Sequence, residues 1–240
     1  MENDFDEIDF ALDLDIEDFG DIEIDLSFEF DSRVHKPPRV KELSAKNIKY
    51  KYAHDLANDV KIEKDCRYNV VVNGSFIFGD FIEALIVNNN YHVKKITIST
   101  LSMSQNNVDS LANLINGNYL DELNLIVSDH FFSHERHGLI KYAYEILDID
   151  NKFQLAVCRT HCKLCIIETH CGLKLVLHGS ANLRTSANIE QFTIEESETF
   201  FDFQDEYQDR IIEKFQTINK TIQGEKLWQL INQEVQSVNP

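Results

Sequence analysis

From residue 66 onward, short apolar runs alternate with segments whose apolar residues recur at helical spacing. Runs rich in β-branched residues, such as 68–72 and 93–100, predict strands, and segments such as 79–88 predict helices with one apolar face. Strands that alternate with helices, followed by a cluster of strands, are typical of an α/β sheet with helices on both faces. The pattern therefore predicts one mixed-sheet domain over residues 66–240.

The predicted strands are 68–72, 93–100, 123–128, 153–159, 162–169, 173–178 and 192–196. The predicted helices are 79–88, 106–116, 134–147, 203–219 and 224–236, and Ser133 is the expected N-cap of the third. Three closely spaced strands lie between residues 153 and 178. The residues with distinctive chemistry occur in and just after them.

The formal net charge of −18 is concentrated at one end of the chain. Residues 1–31 contain 14 Asp or Glu and no Lys or Arg, whereas the other 209 residues contain 27 acids and 23 bases. The alternation of acids with Phe, Ile and Leu predicts a disordered acidic-hydrophobic tail, because an isolated strand of such charge repels itself. A solubilising extension, a docking peptide and an occupant of a cationic cleft all remain open as its role. The acidity does not exclude a polyanionic substrate for the rest of the chain.

Residues 32–65 are interpreted as a basic linker, stiffened by Pro37 and Pro38. Seven Lys or Arg and a single acid, Glu42, lie in the segment 33–51. This linker could pair with the acidic tail or contact phosphates, and both interpretations stay open.

Nothing in the sequence predicts a membrane protein or a secreted one. No run of eighteen apolar residues occurs, and the first residues lack the basic and apolar regions of a signal peptide. We therefore expect a cytoplasmic protein that does not contact membranes. The five cysteines are then expected to be free thiols.

One constellation combines a nucleophile, a cation and neutral hydrogen-bonding groups. His161 and Lys163 are two residues apart, Gly179-Ser180-Ala-Asn182 follows, and Asn188-Ile-Glu190 comes next. On an extended strand, residues two apart point to the same side, so His161 and Lys163 should share a face. An imidazole, an ammonium and two neutral groups can hold a phosphodiester, neutralise its charge and attack phosphorus. Gly179 is expected to let the backbone approach the anion closely.

This constellation resembles the signature of the phospholipase D superfamily: His-x-Lys-x4-Asp, then Gly-Ser-x-Asn, then a later acid. The resemblance covers roughly residues 66–220 and implies a phospholipase D-like mixed β-sheet. It implies that His161 is the nucleophile and becomes transiently phosphorylated. Lys163 and Asn182 would hold phosphate oxygens, Ser180 would add a hydrogen bond, and Glu190 would orient the imidazole, with Asn188 and Gly179 in supporting positions.

The family uses two such motifs, and this chain has one. Single-motif members resemble small nucleases that pair identical chains, so a homodimer with a composite site is implied, with DNA as the favoured substrate. No metal and no cofactor are expected. The alternative is a catalytically reduced scaffold of the same fold that binds nucleic acid or a protein assembly.

One position departs from the family pattern, because Glu168 stands where the family has Asp. Strand parity points Glu168 away from His161, so a supporting role is expected. If the longer side chain misplaces the strand, activity would be reduced.

Three other groups of residues offer competing sites. Cys162 and Cys165, with Cys158 and Cys171 nearby, have the spacing of a zinc ligand pair, but their place in an apolar strand favours packed thiols. The cluster His130, His134 and His137 is interpreted as surface or the edge of a cleft in preference to a metal site. Arg184 could contact a second phosphate or form a surface ion pair.

Overall fold

The structure is a computed structural model that describes residues 44–73, 76–184, 188–218 and 220. The acidic tail predicted for residues 1–31 and the helix predicted for 224–236 lie outside the described residues. No helix in the described part of the chain is long and apolar enough to cross a membrane.

Eight strands and six helices occur in the described residues. The strands are β1 (Ser44–Tyr50), β2 (Cys66–Val72), β3 (Val93–Thr100), β4 (Leu120–Ser128), β5 (Phe153–Cys158), β6 (Leu164–Thr169), β7 (Lys174–Gly179) and β8 (Glu190–Glu196). The helices are α1 (Ala53–Asp59), α2 (Phe78–Asn88), α3 (Gln105–Asn116), α4 (Asp129–Glu135), α5 (Leu139–Leu147) and α6 (Glu198–Phe215).

All eight strands form one mixed sheet in the order β1-β2-β8-β7-β6-β3-β4-β5. The pairs β1–β2, β3–β4 and β4–β5 are parallel, whereas β8 and β6 run antiparallel to both of their neighbours. The C-terminal ends of six strands and the N-terminal ends of β6 and β8 therefore meet at one edge of the sheet.

The two faces of the sheet bury different side chains because successive strand residues alternate sides. Ile98, Leu125 and Leu177 face the larger core, which also contains residues of α1, α2, α3 and α5. On the other face, Ile166 packs with Phe201 of α6, and Ile126 packs with Ile211 of the same helix. Each such apolar side chain contributes roughly 1.5–3 kcal/mol on full burial. The predicted mixed sheet with helices on both faces is thus confirmed.

The folded domain begins earlier than residue 66. Residues 44–59, which the sequence analysis placed in a linker, form β1 and α1, and β1 pairs with β2 from Ser44↔Cys66 to Tyr50↔Val72. The lysines of β1 made this strand resemble a basic linker in the sequence. Lys is nevertheless common on edge strands, where its charge discourages pairing with other chains. Lys46 also lies over the ring of Tyr68, with Nζ 5.2 Å from the ring centroid.

The expected N-cap at Ser133 was wrong, and the single helix predicted over 134–147 is two helices. Ser128 caps α4 instead: its Oγ accepts a hydrogen bond from the backbone N–H of Phe131. Ser133 lies inside α4 and its hydroxyl donates to the Asp129 carbonyl. Gly138, whose backbone is not helical, separates α4 from α5. These helix boundaries place Asp129 and His130 at the end of β4.

Candidate active site

Most of the candidate residues lie in the connections at one edge of the sheet. Gly179 ends β7, Glu190 begins β8, and His161 and Lys163 lie in the connection between β5 and β6. In open α/β sheets, ligands bind beyond the carboxyl ends of the strands. The candidate residues therefore occupy the position that the topology favours for a site.

His161 and Lys163 contact each other, although not on a strand. β6 begins at Leu164, so the predicted strand start at residue 162 was too early. The ammonium of Lys163 lies 3.3 Å from His161 Nδ1 and donates to the His161 carbonyl at 3.1 Å. His161 is exposed and Lys163 is half-buried. A cation is thus held beside an accessible imidazole.

A second group of contacts joins the end of β7 to the start of β8. The Ser180 N–H donates to the Gln191 carbonyl at 2.8 Å, and the Gln191 N–H donates to Ser180 Oγ at 3.0 Å. The Ser180 hydroxyl donates to the Glu190 carboxylate. These bonds fix Ser180 and Glu190 side by side. The Gly179 N–H also donates to the Lys163 carbonyl at 3.3 Å, which ties this group to the His161 segment.

Gly179 has a packing role that its place in the sequence did not reveal. A Cβ at this position would lie 2.6 Å from Phe192 Cα and even closer to the Gln191 carbonyl oxygen. The missing side chain therefore makes room for β8. This packing requirement accounts for the glycine, and the close approach of an anion stays a prediction.

Asn182 is anchored at the end of β3. Its carboxamide oxygen accepts from the Leu101 N–H at 3.2 Å and from Thr100 Oγ1 at 3.4 Å. Its amide NH₂ makes no hydrogen bond to another described residue. That nitrogen is the atom of Asn182 that can donate to a ligand.

Among the described residues, one expected contact and one of the two alternatives left open for Arg184 are not formed. Among the described residues, the Glu190 carboxylate bonds to Ser180 and no hydrogen bond joins it to His161. Arg184 is exposed and forms no ion pair with another described residue. Arg184, Asn188, Asn182 and Glu190 instead line a shallow depression.

Glu168 lies at the opposite end of β6 from His161. Its carboxylate accepts from Lys94 Nζ at 3.1 Å, and its backbone pairs with Lys95 on one side and Lys174 on the other. Glu168 therefore does not contact His161 within the chain, and its supporting role stays a prediction.

A cavity of about 510 Å³ opens beside His161. Its lining comes from the ends of three neighbouring strands: Leu101, Ser128, Asp129, His130, Arg159, Thr160 and His161. Sequence reasoning missed Asp129 and Arg159 as site residues. Their signals were available, since Asp129 directly follows a predicted strand and Arg159 precedes His161 by two residues. His130 lies at the edge of this cleft, one of the positions expected for the His130–His137 cluster.

The cysteines around His161 differ strongly in environment. Cys162 is exposed, whereas Cys165 is fully buried. Burial raises the pKa of the Cys165 thiol far above its usual value. Burial, with smaller effects from Asp129 and Cys162, raises the pKa of Cys158 to about 11. No group of three His, Cys, Asp or Glu side chains in the described ranges is placed to hold a metal ion.

No protein-family model matches the sequence, and no curated protein matches it. Similar solved structures include TrmBL2, an archaeal chromatin protein, at 13% identity over 66% of this chain and 55% of that chain, with a TM-score of 0.40. Phosphatidylserine synthase from Haemophilus influenzae Rd KW20 is similar at 15% identity over 76% of this chain and 50% of that chain (TM-score 0.47). Nuc, a phospholipase D family member from Salmonella typhimurium, is similar at 16% identity over 49% of this chain and 77% of that chain (TM-score 0.36). The chain spans about half the length of the first two. These likenesses concern the fold alone.

Proposed function

We propose that this chain is a phospholipase D-like phosphodiesterase, a nuclease that acts through a phosphohistidine at His161 and needs no metal ion. The contact between the Lys163 ammonium and His161, 3.3 Å from Nζ to Nδ1, is the observation that carries the proposal. It puts a positive charge beside an accessible nucleophile. Such a preorganised charge stabilises the charge that develops on a phosphoryl group during transfer.

Binding of substrate would redistribute the hydrogen bonds of the site. A phosphate oxygen competes with His161 for the Lys163 ammonium, because a charged acceptor bonds more strongly than a neutral one. Release of Lys163 leaves the lone pair of Nδ1 free. The amide NH₂ of Asn182 is then a neutral donor for the remaining oxygens. The Ser180 hydroxyl becomes a second donor only when its proton leaves the Glu190 carboxylate.

The reaction would proceed in two displacements at phosphorus. A ring nitrogen of His161 forms a bond to phosphorus while the bond to the leaving oxygen breaks, and a protonated histidine gives that oxygen a proton. Water then attacks the phosphohistidine and loses its proton to the second histidine, which restores both side chains.

The proton donor is proposed to be His161 of a second copy of the chain, which makes the site composite. Because one chain has one motif, a two-fold axis near His161 would supply two imidazoles to one phosphate. DNA is the proposed substrate, because the single-motif proteins that the sequence resembles are nucleases.

Activity on a DNA oligonucleotide tests the mechanism. We expect cleavage to persist in EDTA, His161→Ala to abolish it, and His170→Ala to leave it unchanged. His170 is a suitable control since it is exposed and paired with Asp121 away from the site. Loss of cleavage in EDTA with recovery on adding zinc or magnesium would contradict the proposal. Clean DNA binding without cleavage across pH and salt would instead support a scaffold.

Mixed dimers test the composite site separately. Tagged wild-type and His161→Ala chains are co-expressed and the hybrid is isolated by two affinity steps. We expect the hybrid to be inactive, because the one composite site of the dimer would lack one of its two imidazoles. A hybrid with half the wild-type activity, or a protein that cleaves DNA as a monomer, would contradict the composite site.

A further inference from the structure

The cavity beside His161 carries groups that the proposed reaction does not use. Its volume of about 510 Å³ lies within the range of roughly 300–1,000 Å³ that is usual for ligand sites. His161, Asp129, His130 and Arg159 all line this cavity. A molecule that enters it beside His161 is therefore within the same cavity as these three residues.

Asp129 holds Arg159 and His130 in place. One carboxylate oxygen accepts from Arg159 Nε at 3.2 Å, and the other accepts from the His130 N–H at 2.8 Å. Arg159 uses only Nε in this bond, so its two terminal nitrogens form no hydrogen bond to another described residue. Asp129 thus orients a guanidinium whose outer donors remain available.

The donors that border the cavity match an anion. The guanidinium of Arg159 accepts no hydrogen bonds, and its planar pair of terminal nitrogens fits two oxygens of a phosphate. The His130 ring stacks on that of His134, with centroids 4.2 Å apart. His130 also lines the cavity, and an imidazole ring can donate a hydrogen bond to an anion.

The ion pair between Arg159 and Asp129 contributes little to the stability of the fold. The two side chains are 65% and 36% exposed, and ion pairs at such exposure contribute little to stability. Arg184 does not duplicate its position, because Arg184 lines the separate depression with Asn182 and Glu190. Of the arginines that the structure describes, Arg159 is therefore the one that lines the cavity beside His161.

We propose that this cavity is a subsite for a second phosphate of the substrate, bound by Arg159 with His130, and that Asp129 is its positioning residue. The inference rests on the proposed function and narrows its substrate class. The enzyme would prefer a nucleic-acid strand that carries a phosphate next to the cleaved one over an isolated phosphodiester.

Calorimetric titration of short thymidine nucleotides tests the subsite without turnover. His161→Asn serves as the background, and TpT, pTpT and TpTp are compared at low ionic strength. Charge-assisted bonds to phosphate predict that one of the two terminally phosphorylated dinucleotides binds roughly tenfold more tightly than TpT. In Arg159→Ala this gain in affinity should disappear. In Arg159→Lys, which keeps the charge but lacks the planar pair of terminal nitrogens, part of the gain should remain.

Arg210→Ala is the matched control. Arg210 is also an exposed arginine that pairs with a carboxylate, Glu206, but it lies on α6. The gain from the terminal phosphate should survive in this variant, and its melting temperature should match that of Arg159→Ala. If neither pTpT nor TpTp binds more tightly than TpT, or if the gain survives Arg159→Ala, the subsite is wrong.

The two proposals fail in different ways. The binding gain is measured in a background that does not turn over, so it can be present even if the native chain cleaves nothing. Conversely, EDTA-resistant cleavage that depends on His161 can occur without any gain from a terminal phosphate.

Discussion

Replacement of Gly179 by Ala should damage both the fold and the site. A Cβ at Gly179 would lie 2.6 Å from Phe192 Cα and 2.9 Å from Phe192 Cβ. Ordinary contacts at such atoms begin near 3.4 Å, and the Gln191 carbonyl oxygen would be closer still. The strand ends must therefore separate by roughly 1 Å. Overpacking of this kind costs about 1–3 kcal/mol. At about 2–4 °C per kcal/mol for a domain of this size, the melting temperature should fall by about 2–12 °C.

The same separation should reduce catalysis. Ser180 and Glu190 are joined across these strand ends, and a misplacement of about 1 Å can lower a rate by roughly 100-fold. Gly172→Ala is the matched control, because Gly172 has φ of +88° and a Cβ added there would meet no atom within 4 Å. It should lose about 1–2 kcal/mol from backbone strain and keep its activity.

Thermal melting and initial cleavage rates of the two alanine variants test whether Gly179 is needed for packing against β8 and for the geometry of the site. If Gly179→Ala melts at the wild-type temperature, the packing argument is refuted. If both variants lose activity in proportion to stability, Gly179 has no specific link to the site.

Three further predictions concern Glu168, the thiols and His178. Glu168→Asp, which restores the family residue, should change the cleavage rate less than twofold and the free energy of unfolding by less than about 1 kcal/mol. The reason is that the partly exposed ion pair between Glu168 and Lys94 contributes little to stability. A large gain in the cleavage rate would contradict a supporting role for Glu168. At pH 8, a thiol reagent followed by peptide mass spectrometry should label Cys162 and spare Cys165, whose pKa burial raises; equal labelling would disprove this. Burial lowers the pKa of His178, so the unfolded chain binds a proton more readily and stability should fall as the pH drops through about 6.5. His178→Asn should flatten that part of the melting profile, and an unchanged slope would show that other groups cause it.

The sequence predicted the sheet well where the period of its apolar residues was clear. The strand over 93–100 agrees with β3 residue for residue, because β-branched residues dominate it. β1 was missed, since its lysines resemble a basic linker when its pairing with β2 is not known. The split between α4 and α5 was also missed, because the non-helical backbone of Gly138 does not interrupt the apolar pattern.

For the site, local spacing predicted some neighbours and could not predict others. His161 and Lys163 are two residues apart, so their contact depends on the local path of the chain and on no strand pairing, although the strand expected there begins only at Leu164. The cavity depends on how β3, β4 and β5 lie side by side, which brings Asp129 to Arg159 across 30 positions of sequence. The collision that a side chain at Gly179 would cause with β8 likewise depends on register, which composition does not reveal.

Trapping the covalent intermediate tests the central claim most directly. The protein is mixed with a DNA oligonucleotide, quenched in alkali within the first turnover, digested and analysed by tandem mass spectrometry. We predict an adduct on the peptide that contains His161, in which the ring nitrogen is bonded to phosphorus and the phosphorus still carries the DNA fragment that did not leave; no adduct should form in His161→Ala or after quenching without DNA. Cleavage that proceeds at an equal rate in His161→Ala, with no adduct on any histidine, would contradict the account.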